Sequence, residues 1–188
     1  NHLSMITSDY FANLVNLKRL NISCNRLKKL DPNSFENLPF LESLDLNNNQ
    51  LMFIDSRTFR YLVGLKSLNL SNNKLTSIEP NSFKGLENLE TLYLNNNLLT
   101  SIDRYTFKGP INLKVLKLNN NKISYIEADS FESFKTIRVI QLYGNPSFSS
   151  MSFKNVSSEE FGKNSFEDFQ LNECGFTNDW EIYLKKRK

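Results

Sequence analysis

Cysteine, histidine and long apolar runs are scarce in this chain, and each scarcity excludes something. Two cysteines, Cys24 and Cys174, cannot make a disulfide framework. The single histidine, His2, stands at the terminus. There is no Cys/His cluster at metal spacing, no glycine-rich phosphate loop and no Gly-x-Ser-x-Gly elbow. Catalysis therefore has almost no residues to work with, and neither an enzyme nor a cofactor is expected. No apolar run approaches the ~18 residues of a membrane span. The opening Asn-His-Leu-Ser-Met lacks a basic region followed by an apolar core, so no signal peptide is legible. It also lacks an initiator Met, and residues upstream are expected to have been removed or left out. A net charge of +3 gives no concentrated basic face, so nucleic acid is not an expected partner. Hydrophobic content of 39% and a mean hydropathy of -0.43 describe an ordinary soluble chain.

What the chain has in abundance is self-similarity. Leu65, Leu68, Leu70 and Asn73 are followed by Leu75, Ile78, Phe83 and Leu86, and the same frame recurs 24 residues away in either direction. It starts at 17, 41, 65, 89, 113 and 137, and half of an earlier unit is present in Asn1, Leu3, Ile6, Phe11 and Leu14. A fixed period of this length marks a stacked array, whose units bury their apolar faces only against one another. The expected organisation is an array over 1–145 and a capping segment over 146–188. At the start, an unpaired strand edge and an apolar interior are expected to be covered by missing residues or by another subunit.

Each column of the array has its own expectation. Leu-x-x-Leu-x-Leu ends in period-two alternation, a short strand with one buried face, and identical units stack such strands in parallel. The Asn column (Asn1, Asn25, Asn49, Asn73, Asn97, Asn121, Asn145) is expected to be buried, with its amides bonding backbone at the bend of their own and adjacent coils. The Phe column (Phe11, Phe35, Phe59, Phe83, Phe107, Phe131) is expected to stack on the convex side. Asp31, Asp55, Glu79, Asp103 and Glu127 each precede Ser or Thr by three residues and are read as caps of short helical turns, with calcium binding as the alternative. Lys18, Glu42, Lys66, Glu90, Lys114 and Arg138 are expected to pair between adjacent strands and set register.

The frame Leu-x-x-Leu-x-Leu-x-x-Asn-x-Leu, continued by Leu or Ile and then Phe, resembles the leucine-rich repeat in its 24-residue typical class, from residue 1 to about residue 145. That class is found mainly outside cells, in Toll-like receptors, guidance proteins, matrix proteoglycans and insect immune proteins. The resemblance implies an α/β solenoid. Its form would be a horseshoe with a concave parallel sheet, an irregular or short-helical convex side and a capped C-terminal end. It also implies an extracellular setting, secreted or as a receptor ectodomain, and a protein or microbial ligand. After Asn145 the chain departs from the family. Extracellular members often follow Asn-Pro with a pair of cysteines, whereas Asn145-Pro146 here leads into Ser147 and Phe148, and only Cys174 remains.

In the capping segment, Asn178 with Glu181 resembles a capping box, opening a short helix with Trp180, Tyr183 and Leu184 on one face. The final Lys185 to Lys188 would complement that helix's C-terminal dipole, with a basic docking or processing signal as the alternative. Cys24 and Cys174 lie about five strand spacings apart, ~24 Å at ~4.8 Å each. That exceeds the ~7 Å reach of a disulfide, so no bond between them is expected. Cys174 is read as a small buried residue or as a partner in an intermolecular disulfide.

Binding is expected on the concave face. The first three strands present small polar residues there. The last three bring together Tyr93, Val115, Lys117, Val139, Gln141 and Tyr143, with aromatic and apolar side chains of the kind interface cores favour. The alternative is that the capping segment covers Val115 and Val139. Asn21, Asn69 and Asn155 begin Asn-x-Ser sequons, and glycans on the first two would shield the polar half. Two functions follow: an immune-type recognition module with one discrete ligand site, or an adhesion or matrix scaffold that spaces partners without one.

Overall fold

The protein is described by a computed structural model, which covers residues 2–127 and 129–146, together with the strand backbones of 166–173 and 180–186. In chain order the strands are β1 (Arg19–Asn21), β2 (Ser43–Asp45), β3 (Phe53–Ile54), β4 (Ser67–Asn69), β5 (Ser77–Ile78) and β6 (Thr91–Tyr93). They continue as β7 (Ser101–Ile102), β8 (Val115–Lys117), β9 (Tyr125–Ile126), β10 (Val139–Gln141), β11 (Phe166–Glu173) and β12 (Trp180–Lys186). The main sheet has the order β1-β2-β4-β6-β8-β10-β12-β11. Its first six strands are parallel and in register every 24 residues: Leu20, Leu44, Leu68, Leu92, Leu116 and Ile140 stand side by side. A one-residue slip would turn each of these side chains, buried except for the partly buried Leu20, to the other face, so the leucine spacing sets the register.

The result is a parallel-strand solenoid. On the side away from the main sheet, short pairs β3–β5 and β7–β9 join neighbouring coils, and the remainder is turn. The expected α component is almost missing. Among the described residues the one helical element is a 3-10 turn, Ser8–Phe11. The coils bend through i to i+3 hydrogen bonds instead, as in Ser34 N–H to Asp31 O (2.9 Å) and Glu36 N–H to Asn33 O (3.1 Å). A segment this short cannot offset the cost of nucleating an α-helix.

Two columns hold the interior. Neighbouring phenylalanine rings from Phe11 to Phe131 are stacked with centroids 5.9–6.2 Å apart, within the range of favourable aromatic pairs. Phe134 joins the last two, 5.8 Å from Phe107 and 5.9 Å from Phe131. The asparagines satisfy both ends of their amides across the coil boundary. Asn73 Nδ2 donates to Leu46 O and Leu70 O (both 3.1 Å), and its Oδ1 accepts the Leu51 N–H at 3.0 Å. The same set recurs at Asn49, Asn97 and Asn121. Strand-to-turn bends would otherwise bury orphan backbone groups, and the amide is the shortest side chain that supplies donors and an acceptor together.

The C-terminal helix expected from Asn178 and Glu181 is not formed, because Trp180–Lys186 is strand β12. It runs antiparallel beside β10, with Val139 opposite Tyr183 and Gln141 opposite Glu181, and β11 pairs on its far side. Trp180, Ile182 and Leu184 alternate with Glu181, Tyr183 and Lys185, a period-two pattern, and the open edge of β10 offers unpaired backbone groups to match. Asn178 and Cys174 lie outside the described residues.

Candidate functional site: the open face of the sheet

Each strand of the solenoid turns its middle residue inward and leaves its flanks partly exposed, so the flanking residues make one continuous face. One row across it is Arg19, Ser43, Ser67, Thr91, Val115, Val139, and the next is Asn21, Asp45, Asn69, Tyr93, Lys117, Gln141. The structure therefore brings Tyr93, Lys117 and Gln141 into one row and Val115 and Val139 into the other. Tyr143 follows β10 at the turn. All six are half-buried.

The two halves of this face differ in how their polar groups are used. On the first three strands they are consumed locally. Asn21 Oδ1 accepts from Ser23 N–H (2.9 Å) and hydroxyl (2.6 Å). Asp45 Oδ1 accepts from the Asn47 N–H (3.0 Å) and amide (2.6 Å), and Asn69 Oδ1 from Ser71 N–H (3.1 Å) and hydroxyl (2.7 Å). Asn21 is exposed and Asn69 half-buried, so the two sequon asparagines differ in access, and Asn155 lies outside the described residues. On the last three strands the aromatic and apolar side chains replace these loops. Lys117 Nζ lies over the Tyr93 ring, 5.2 Å from its centroid. Asn119, 4% exposed, holds an Oδ1 with no hydrogen-bond partner among the described residues.

The charged column at the start of the strands shows the same division. Lys18 and Lys66 both reach Glu42, at 2.6 and 2.9 Å. Hydrogen bonds from these two ammonium groups, Lys18 first, hold the Glu42 carboxyl at about 2, below its ordinary 4.5. Glu90 pairs with Lys114 at 2.9 Å, and that bond lowers its carboxyl too. Alternation was the expectation along the whole column, and it fails at the last step. Arg138 follows Lys114, a cation beside a cation, and among the described residues no carboxylate lies within ion-pair distance of Arg138 or Lys117.

The acidic column on the opposite side is structural, with two uses. Asp55 and Asp103 cap their own turns, accepting the N–H of Arg57 (2.8 Å) and Tyr105 (2.7 Å). Glu79 and Glu127 instead reach back one coil, to the N–H of Ser56 (2.9 Å) and Arg104 (3.1 Å). Arg57 beside Asp55 and Arg104 beside Glu127 hold those carboxyls below the usual range. Among the described residues no group of three or more His, Cys, Asp or Glu could hold a metal ion.

One column went unread in the sequence. Cys24, Asn48, Asn72, Asn96 and Asn120 all have φ between 53° and 56°, and Gly144 has φ 68°. Asparagine is the side chain that tolerates this left-handed region best, and the doublets Asn48-Asn49 through Asn120-Asn121 are its signature. Their amides link along the coils, Asn96 to Asn72 and Asn120 to Asn96, each at 2.9 Å. Gly144 ends the run, since a Cβ there would come within 2.0 Å of Asn120 Oδ1.

A stacked parallel sheet with an asparagine ladder defines a repeat solenoid. A leucine rich repeat profile matches residues 1–51, 41–99 and 87–146, and the chain belongs to that family. The chain is also similar to the crystal structure of the TLR13–ssRNA13 complex, at 31% identity and a TM-score of 0.71. It thus resembles a Toll-like receptor ectodomain. The likeness covers 76% of this chain and 20% of the TLR13 chain, so this chain spans about a fifth of that protein. Among curated proteins, none matches.

Proposed function

We propose that this chain is a non-catalytic recognition module of an extracellular receptor or secreted immune-type protein. It would bind a protein or microbial ligand on the C-terminal half of a concave sheet face. Tyr93, Val115, Lys117, Val139, Gln141 and Tyr143 form the contact surface, and residues 146–188 cap the array beside it. One observation carries this reading: polar side chains on the first three strands are already bonded to their own turns, while the last three strands present half-buried aromatic and aliphatic groups. Groups of that kind supply most binding energy at interfaces. Similarity to TLR13 supports the receptor class. Glycans on Asn21 and Asn69 would confine ligands further to the C-terminal half, and mass spectrometry finding both bare on secreted material removes that support. Cys174 is the candidate for a disulfide to another chain.

The direct test is selection of binders from a random peptide display library on the folded chain, followed by rebinding to variants. Clones are expected to be lost on Tyr93→Ala/Tyr143→Ala and kept on Asn21→Ala/Asn69→Ala. Clones that survive the tyrosine pair and map elsewhere would sink the proposal.

A further inference from the structure

On the side away from the main sheet, Arg60, Lys84 and Lys108 follow one another at a spacing of 24 residues. Each closes the same i to i+3 turn with its N–H, to Arg57 O (3.4 Å), Asn81 O (2.9 Å) and Tyr105 O (3.3 Å). They therefore hold equivalent positions on three consecutive coils, and all three are exposed. The phenylalanine before each gives the coil spacing there: Phe59, Phe83 and Phe107 have ring centroids 6.2 and 6.0 Å apart. No other column of the repeat places three cations in succession, and the column at the start of the strands alternates in sign as far as Lys114. The turn itself does not call for a cation, since Glu36 and Glu132 hold the same position on the flanking coils.

Among the described residues, no carboxylate lies within ion-pair distance of any of the three. Nearby carboxylates are engaged elsewhere: Asp55 with Arg57, Glu127 with Arg104, Asp103 with the Tyr105 N–H and Glu79 with the Ser56 N–H. Glu87 lies three residues beyond Lys84 in the chain and does not pair with it. Arg60 bonds neutral acceptors, Asn33 Oδ1 at 3.0 Å and the Tyr61 hydroxyl. A coil spacing of 6.0–6.2 Å is shorter than the ~8 Å Debye length at physiological salt, so the fields of the three cations add.

We propose that this column binds a sulfated, acidic polysaccharide laid across the coils, with successive anionic groups meeting Arg60, Lys84 and Lys108. A row of exposed point charges suits a polymer whose charge recurs along its length, and release of its counterions favours the contact. Single-stranded nucleic acid is also a polyanion, but its binding draws on free aromatic rings on which bases stack. The two rings beside this column are already covered. The Arg60 guanidinium lies over Tyr61 at 4.6 Å, and Lys108 Nζ lies over Tyr105 at 4.8 Å. This site is separate from the sheet face and stands or falls without it.

Fluorescence anisotropy on the full chain tests this with three labelled probes: a short heparin fragment, its desulfated counterpart and an oligouridine RNA of similar length. The heparin fragment is expected to bind most tightly. Arg60→Gln/Lys84→Gln/Lys108→Gln is expected to weaken it about tenfold, since each exposed contact contributes modestly. The plot of log affinity against log salt should become shallower by about two to three units, because each lost contact releases roughly one counterion fewer. Lys84→Gln alone should give a loss of about two- to threefold. Arg60→Lys/Lys84→Arg/Lys108→Arg, which keeps the charge, should retain binding. Lys28→Gln/Lys29→Gln/Lys74→Gln removes the same charge elsewhere and should change affinity by less than about twofold, because distant charges are screened. Tyr93→Ala/Tyr143→Ala should leave heparin binding unchanged. Circular dichroism of each variant reports that the fold is kept. Equal losses in the two triple variants would reduce the effect to net charge and overturn the proposal. So would no binding of heparin, equal binding of the desulfated fragment, tighter binding of oligouridine, or loss of heparin binding in the tyrosine pair.

Discussion

The first three strands of the main sheet and the next three share one interior and present two different exteriors. Inside, Leu44 and Leu116, Phe35 and Phe107, Asn49 and Asn121 are interchangeable, each at most 7% exposed. Outside, Asn21, Asp45 and Asn69 spend their oxygens on their own turns, whereas the same row continues through Tyr93 and Lys117, whose ring and ammonium group meet each other. A repeat constrains only what its neighbours touch. Interior positions must match the coil above and below, whereas outward positions meet their neighbours through a few ion pairs, ring contacts and hydrogen bonds and are otherwise free to differ. Under the proposed function, those outward differences are where a partner would leave its mark.

Substitutions in the shared interior give the largest effects, and they should be equal in the two halves. Phe59→Ala and Phe107→Ala are each expected to cost ~3–5 kcal/mol by removing a ring stacked between its two column neighbours, Phe107 also meeting Phe134. Chemical denaturation reads this, and a difference beyond about 1 kcal/mol between the two would break the equivalence. Next come the amides. Asn49→Ala and Asn121→Ala should each cost ~1–3 kcal/mol, because backbone groups in both adjoining coils lose partners in a buried bend. A negligible loss at either position would mean that water replaces the amide there.

The smallest effect separates the exteriors. Glu42 is held at about 2 against an ordinary 4.5 by Lys18 and Lys66. A carboxyl depressed on folding adds stability that is fully present above the unfolded value. This part is lost as pH falls from about 4.5 through about 2. Its solvent-facing position keeps the contribution small. NMR titration of Glu42 should give a midpoint near 2, rising toward 4.5 in Lys18→Met/Lys66→Met. An unchanged midpoint in that double variant would show that the lysines are not the cause.

Much of the interior was legible in advance, and part of the exterior was not. The leucine, asparagine and phenylalanine columns could be read because each satisfies a local demand repeated at fixed spacing. The pairing of Lys18, Glu42 and Lys66 was legible for the same reason. The left-handed column from Cys24 to Asn120 was missed although the asparagine doublets signal it, since an exposed polar residue in a turn looks unremarkable without its φ angle. The C-terminal segment was misread as helix. Its capping-box pattern outweighed the alternation Trp180, Ile182, Leu184, and only the unpaired edge of β10 shows why a strand forms there.

By itself the sequence determined a parallel solenoid of 24-residue coils and which side chains fill it, because apolar spacing and a buried amide per turn leave one stacking that satisfies both. The tertiary structure alone decided which outward groups are spent and which remain. Ion pairs, turn-bound oxygens and the strand added beside β10 depend on distances between coils, and a linear pattern does not contain those distances.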